Sequence, residues 1–245
     1  MQSKVGIFIQ ARGNSERLPG KIYAGLPEPG APSVLEHIHR RLKSVKEADL
    51  VVVLVPEGES MLQEYCRSRG MEVMGGPEHD VRRRYRLAAD KYDCDIIVRA
   101  TGDNPCVDPG VASDTIREIR ERKADLLSFS NLPLGVAVEA LRREALMSDE
   151  IISEPSHREH VSLHIKHNQD VFRVTHLEHP LMEAFGDSPP RLTVDTIEDL
   201  RVVRKVYEQL GADFSTEQVL KLFTEQPMLF RENGSVRQRT FAPAV

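Results

Sequence analysis

The stretch Val5-Gly6-Ile7-Phe8-Ile9-Gln10-Ala11-Arg12-Gly13-Asn14-Ser15-Glu16-Arg17-Leu18-Pro19-Gly20-Lys21 decides how this chain is read. Its first five residues form a short apolar run, the mark of a strand buried in a parallel sheet. The twelve that follow carry three cations, two glycines and a hydroxyl. A buried strand opening into such a loop is built to meet an anion. A nucleoside triphosphate fits, because backbone N–H groups and cations can share its charge. The loop is not a Walker A motif: Ser15 stands where the first glycine belongs, and Ile22 follows the lysine in place of Ser or Thr. It also lacks the spacing of the dinucleotide fingerprint. It is a phosphate loop of another kind.

Outward from this loop, apolar runs alternate with helical periodicity. Ser33 to Ala48 places Val34, Leu35, Ile38, Leu42 and Val45 on one helix face. Leu50 to Val55 reads as a second buried strand, Ser60 to Gly70 as a short helix and Glu72 to Met74 as a short strand. Val81 to Tyr92 is predicted helical and Asp95 to Arg99 a strand. Asp108-Pro109 reads as an N-cap with proline at the first helical position, opening a helix to Lys123. Asp125 to Ser130 is a further strand. Such alternation predicts a mainly parallel sheet with helices on both faces, with ligands outside the carboxyl ends of the strands. From 131 to 190 the pattern is irregular, with an extended piece at Val171 to Val174, and the region is expected to shape an acceptor site or a dimer surface. A final helix is predicted from Thr196 to about Leu210. One domain is expected over 1–230, followed by a basic, loosely held tail over 231–245.

Bulk properties narrow the classes. At 245 residues, with 40% hydrophobic and 29% charged residues, the chain can bury a sizeable core. A net charge of −5 provides no global field for nucleic acid or an anionic membrane, so any anion must be held locally. Cys66, Cys94 and Cys106 are odd in number and lack CxxC spacing, as expected for reduced thiols. A strand beginning at the fifth residue leaves no room for a signal peptide, and no run approaches membrane-spanning length. A cytoplasmic protein is expected, with no nucleic-acid or membrane partner.

Two aspartates stand where strands are predicted to end. Asp103 lies in Arg99-Ala100-Thr101-Gly102-Asp103-Asn104-Pro105, and Asp195 in Leu192-Thr193-Val194-Asp195-Thr196-Ile197-Glu198-Asp199. Thr196 and Asp199 make a variant capping box, which leaves Asp195 free. Together the two carboxylates could hold Mg²⁺, a hard cation that takes oxygen ligands and phosphate oxygens. Either alone would read as a turn cap.

The phosphate loop, Thr101-Gly102-Asp103-Asn104-Pro105 with Asp108, and Val194-Asp195-Thr196-Ile197-Glu198-Asp199-Leu200 together resemble the cytidylyltransferases. These include the enzymes that activate KDO and sialic acids as CMP derivatives. The likeness is strongest to the branch named after the spore-coat polysaccharide protein SpsF, and runs in order from about residue 5 to 210. The resemblance implies a Rossmann-like three-layer α/β/α fold of the glycosyltransferase-A, nucleotide-diphospho-sugar transferase kind. It implies Mg²⁺-dependent attack of an acceptor, an acidic sugar, on the α-phosphate of CTP with release of pyrophosphate, for surface polysaccharide synthesis. Arg12 and Lys21 would then stabilise the developing charge. Gln10, Ala11, Gly13, Ser15, Arg17 and Arg84 would help hold the nucleotide, Arg84 at the loop Gly75 to Val81. Asp103 and Asp195 would hold metal, and Glu139 and His160 would face the acceptor. A homodimer is also implied. Where the branch usually has an aspartate two residues before Glu139, this chain has Ala137, which bears on the acceptor. Transfer from another triphosphate, transfer onto a phosphate ester, and a non-catalytic nucleotide-binding homologue stay open.

Three other constellations are set aside. His157, His160, His164 and His167 could share one helix face, but they span too much length to converge on one ion. Asp93-Cys94-Asp95 has DxD spacing but precedes its strand, on the wrong edge of the sheet. Cys106 reads as a packing residue.

Overall fold

The computed structural model describes residues 3–149, 156–181 and 189–238. Seven strands form one sheet: β1 (Val5–Gln10), β2 (Leu50–Pro56), β3 (Val73–Gly76), β4 (Ile96–Thr101), β5 (Leu126–Ser130), β6 (Glu139–Arg142) and β7 (Val174–Glu178). Their spatial order is β3-β2-β1-β4-β6-β5-β7. β6 alone runs antiparallel, against β4 and β5. β1 lies between β2 and β4, with Gln10 level with Leu54 and Thr101. The phosphate loop therefore leaves the middle of the sheet at its carboxyl edge, where ligands of open α/β sheets bind.

Side-chain alternation divides the core in two. Ile7 and Ile9 of β1 point to one face and Phe8 to the other. The first face is covered by α1 (Val34–Lys43), α2 (Ser60–Ser68), α4 (Pro109–Arg122), α8 (Ile197–Leu210) and α9 (Thr216–Glu225). The second is covered by α3 (Val81–Tyr92), α5 (Arg143–Met147) and α7 (Leu163–His167). Ile7, Phe8 and Ile9 are wholly buried, each side chain stabilising the fold by roughly 1.5–3 kcal/mol.

The helix starts follow their caps. Ser33 and Glu36 close a capping box on α1, and Asp80 accepts from the Arg83 amide at the start of α3. Asp108 caps α4 through Oδ1, while its Oδ2 accepts from the Thr216 amide and hydroxyl, tying α4 to α9. Thr196 and Asp199 form the expected box on α8.

Four expectations change. α1 ends at Lys43, well before Ala48, although Val45 stays buried against the core. β7 begins at Val174, so Val171 to Arg173 precede the strand as a turn. α8 is not the last helix: α9 follows, opened by a Ser215–Gln218 capping box. The histidine run is no single helix, because α6 (Ser156–Glu159) and α7 are separated by a bend at His160. Beyond 230 the chain is still engaged: Asn233 is 1% exposed and donates to Arg191 O and Asp199 Oδ1. Residues 150–155 and 182–188 of the irregular region, and 239–245 of the expected tail, lie outside the described residues.

Candidate active site

Backbone hydrogen bonds carry the two motif aspartates to the phosphate loop. Gly102 N–H donates to Gln10 O at 2.8 Å, locking the loop after β4 to the end of β1. Asp195 does not end a sheet strand. It follows an extended segment outside the seven strands, joined to the rest by a bridge between Leu134 and Arg191. That segment is fastened directly to the Asp103 loop: Val194 N–H and the Thr193 hydroxyl both donate to Asp103 O, at 2.7 and 3.1 Å. Gly135, at φ +102°, makes this approach possible, since a Cβ there would lie 2.7 Å from Leu192 C and Thr193 N.

Lys21 is the hub of the result. Its Nζ donates to Asp103 Oδ2 at 3.0 Å and Asp195 Oδ1 at 2.9 Å. Arg17 pairs with Asp195 Oδ2 at 2.9 Å, and Arg191 donates to the same oxygen at 2.6 Å. Arg191 is itself held by Asp199 at 2.8 Å. Burial pushes the Asp195 carboxyl up, but Lys21, Arg17 and Arg191 outweigh it and hold the group below its ordinary value. Arg191 and Asp199 hold Asp195 in place; the sequence reading gives Asp199 only a capping role and does not single out Arg191. Their signal is the four-residue spacing Arg191, Asp195, Asp199 across a helix start.

The loop itself is prepared for anions. Arg12 is exposed and makes no ion pair among the described residues, and Ser15 of the same loop is 8% exposed. Ala11 N–H is spent on Leu54 O. The Gly13 amide donates to Glu59 Oε2 at 2.5 Å. A Cβ at Gly13 would meet that oxygen at 2.9 Å and the Tyr23 hydroxyl at 3.4 Å, so only glycine lets the carboxylate so close. Glu59, the residue before α2, was not expected here, and no motif announces it.

Arg84 lies beside β3 on one side of β1, and Glu139 lies on β6 on the other. Arg84, 2% exposed, donates to Pro77 O at 2.7 Å and Glu78 O at 3.1 Å. It shapes the Gly75 to Val81 loop from below. Arg82, on the same helix, is also buried: it is 3% exposed and donates to Leu146 O and Ser148 O. Glu139, at the start of β6, is 7% exposed and pairs with Lys166 at 2.5 Å. Burial raises its carboxyl pKa, yet Lys166 and Arg99 hold it below the ordinary value. His160 lies half-buried in the bend after α6, its pKa lowered by burial and by Arg99 and Lys166, against the pull of Glu159. His157 and His167 face each other at 3.1 Å, and His164 bonds to Ala145 O at 3.0 Å, so these three are held within the fold instead of converging on an ion. Cys106 is buried and its thiol is pushed up to about 12, which leaves it inert. Asp93 is the left-handed cap of α3, and Asp95 accepts from the Lys4 amide, so the DxD spacing is a turn. A cleft of about 630 Å³ lies between Arg82, Arg83, Arg86, Asp149 and Arg158 and contains none of the expected site residues.

The sequence model of the family described as cytidylyltransferase matches residues 6–235, which take in the loop, both aspartates and Asn233. The chain belongs to the cytidylyltransferase family. This cytidylyltransferase is 32% identical over 229 residues to the spore coat polysaccharide biosynthesis protein SpsF of Bacillus subtilis, covering 90% of this chain and 94% of that one. Its fold matches the solved structure of a cytidylyltransferase from Leptospira borgpetersenii with a TM-score of 0.85 and 29% identity, covering 98% and 99% of the two chains. A CMP:2-keto-3-deoxy-manno-octonic acid synthetase solved in complex with CTP shares the fold at a TM-score of 0.66 and 18% identity, over 84% of this chain and 99% of that one. The family makes the protein a nucleotidyltransferase, with the three-layer sheet architecture of nucleotide-diphospho-sugar transferases.

Proposed function

We propose that the protein transfers a cytidylyl group from CTP onto a sugar acid or a related carboxylated or phosphorylated acceptor, in surface polysaccharide synthesis. The observation that carries this is Lys21 bridging Asp103 and Asp195 at the mouth of a phosphate loop, in a chain of the cytidylyltransferase family. The part of SpsF in spore coat polysaccharide biosynthesis and the CTP bound to the synthetase support the base and the pathway class.

In the step, an acceptor oxygen forms a bond to the α-phosphorus while the bond from that phosphorus to the bridging oxygen of the β-phosphate breaks. The electron pair leaves with pyrophosphate. Arg12, Arg17 and Lys21 surround the triphosphate and meet the charge that grows on the leaving group. If the acceptor oxygen is a hydroxyl, its proton passes to His160, which burial keeps neutral near pH 7. The arms of the loop hold the two reactants in line, which supplies much of the remaining acceleration.

Asp103 and Asp195 also suit Mg²⁺. Among the described residues no group of three or more His, Cys, Asp or Glu could hold a metal, so the protein would provide two carboxylates. Phosphate oxygens and water would complete the shell, an arrangement common for this ion. When bound, the ion supplies charge neutralisation at the phosphates. The homodimer belongs to the same reading, with the region 131–190 as its surface.

Thermal shift with each of the four nucleoside triphosphates and Mg²⁺, followed by a pyrophosphate-release screen of sugar acids and phosphorylated acceptors, tests the reading. CTP is expected to stabilise most, and Asp103→Asn to lower release about 10²-fold or more, as for other lost charge-stabilising groups. Stabilisation by other triphosphates with none from CTP would refute it.

A further inference from the structure

Buried polar atoms are nearly always hydrogen-bonded, so a cluster of exceptions on one face needs a reason. Gln10 Oε1, Arg99 Nε and Glu139 Oε2 are buried without a hydrogen-bond partner among the described residues. They stand on three neighbouring strands, β1, β4 and β6. Arg99 is level with Phe8 on one side and Glu139 on the other. Alternation puts all three side chains on the face of Phe8, Ile97 and Leu141, the second core face. The cluster lies where the phosphate loop begins and where α7 brings Lys166 over the sheet.

The charges there do not balance. Glu139 is already paired with Lys166, and Ser162 stands beside it. That leaves the half-buried Arg99 guanidinium opposite a carboxylate held by another cation. A guanidinium withdrawn from water is costly unless an anion compensates it, and its fork matches carboxylate and phosphate groups. Among the buried and half-buried side chains the surplus is one positive charge, Arg99 and Lys166 against Glu139, with the exposed Glu159 carboxylate beside His160 at the rim.

Resting on the cytidylyl-transfer reading above, we propose that Arg99 determines which acceptor is used, by taking the anionic group of a polyol acid or polyol phosphate. Gln10 and Glu139 take hydroxyls of the same molecule. Gln10 thereby serves the acceptor with its side chain, beyond its expected place beside the nucleotide. Lys166, whose side chain is 36% exposed, is the movable wall that gives a hydroxyl access to Glu139.

The test compares three six-carbon probes on the full chain in the presence of CTP and Mg²⁺: gluconate, glucitol 6-phosphate and glucitol. Calorimetry reads probe binding, and CTP affinity is measured separately. The wild-type protein is expected to bind at least one anionic probe about tenfold or more tighter than glucitol, the scale of one charge-assisted pair. Which of the two binds separates carboxylate from phosphate acceptors. Arg99→Gln should abolish the preference and leave CTP affinity within about twofold. If Arg99→Gln does not fold, Arg99→Lys carries the test: weaker anionic probes with unchanged glucitol and CTP support the assignment. Equal binding of all probes by the wild-type protein, or a preference that survives substitution, overturns it. A tenfold loss of CTP affinity in the variant also overturns it, because Arg99 would then serve the nucleotide. Failure of the wild-type protein to bind CTP refutes the cytidylyl reading, a distinct result.

Discussion

Lys21 and Gly13 show how single residues set the state of the site. Each offers a donor suited to phosphate, and each donor is held by a carboxylate of the protein: Asp103 and Asp195 for Lys21, Glu59 for Gly13. A triphosphate entering the loop must therefore exchange partners with these anions. Replacing Glu59 by Gln keeps the shape and removes the competing charge. The expected outcome is a KM for CTP lower by about fivefold, the worth of roughly 1 kcal/mol, with kcat little changed. Steady-state kinetics checks it, and a higher KM would mean that Glu59 positions the loop instead. The cations of the loop are legible from residue type alone. Glu59 is not, because its contact spans 46 positions and depends on α2 starting beside the loop.

At the scale of elements, legibility follows the strength of local signals. Caps and periodicity locate α3, α4 and α8 closely, since Asp80, Asp108 and Thr196 act within one turn. α9 has the same kind of signal in Ser215 and Gln218 and could have been found. The break between α6 and α7 could not, because four histidines at helical spacing carry no stop residue. Docking of α9 is decided by distant groups. Arg41 of α1, 3% exposed, donates to Val107 O, Ala212 O and Phe214 O, and its guanidinium lies 4.3 Å from the Phe214 ring centroid. Arg41→Met would orphan these three carbonyls. It is expected to cost about 3 kcal/mol, read as a lower urea midpoint, while a change below 1 kcal/mol would contradict the staple role.

The whole molecule responds to pH through buried histidines. His164 is fully buried, and burial, with Arg82, His157 and Arg86, lowers its pKa to about 4 despite the hydrogen bond to Ala145 O. The unfolded chain binds this proton near pH 6.5 and the folded chain near 4, so between those values the unfolded state holds more protons. Stability must then fall as pH drops through that window, by on the order of 2 kcal/mol between pH 6.5 and 5. His37 and His39, also lowered by burial, act in the same direction. Urea unfolding at pH 7 and pH 5 should show the loss, and His164→Leu should reduce the slope. An unchanged slope would show that His164 is protonated in the native state. The sequence by itself determined the alternation of strands and helices, the anion-seeking loop and the family, because these rest on local periodicity and on ordered motifs. Only the tertiary structure decided that Asp195 reaches Asp103 by an extended segment outside the sheet, and that Lys21 joins them. Only it set Arg99 against a carboxylate already claimed by Lys166. The reason is physical: periodicity records which face of an element is buried, whereas a partner across 82 or 174 positions is fixed by how the layers pack.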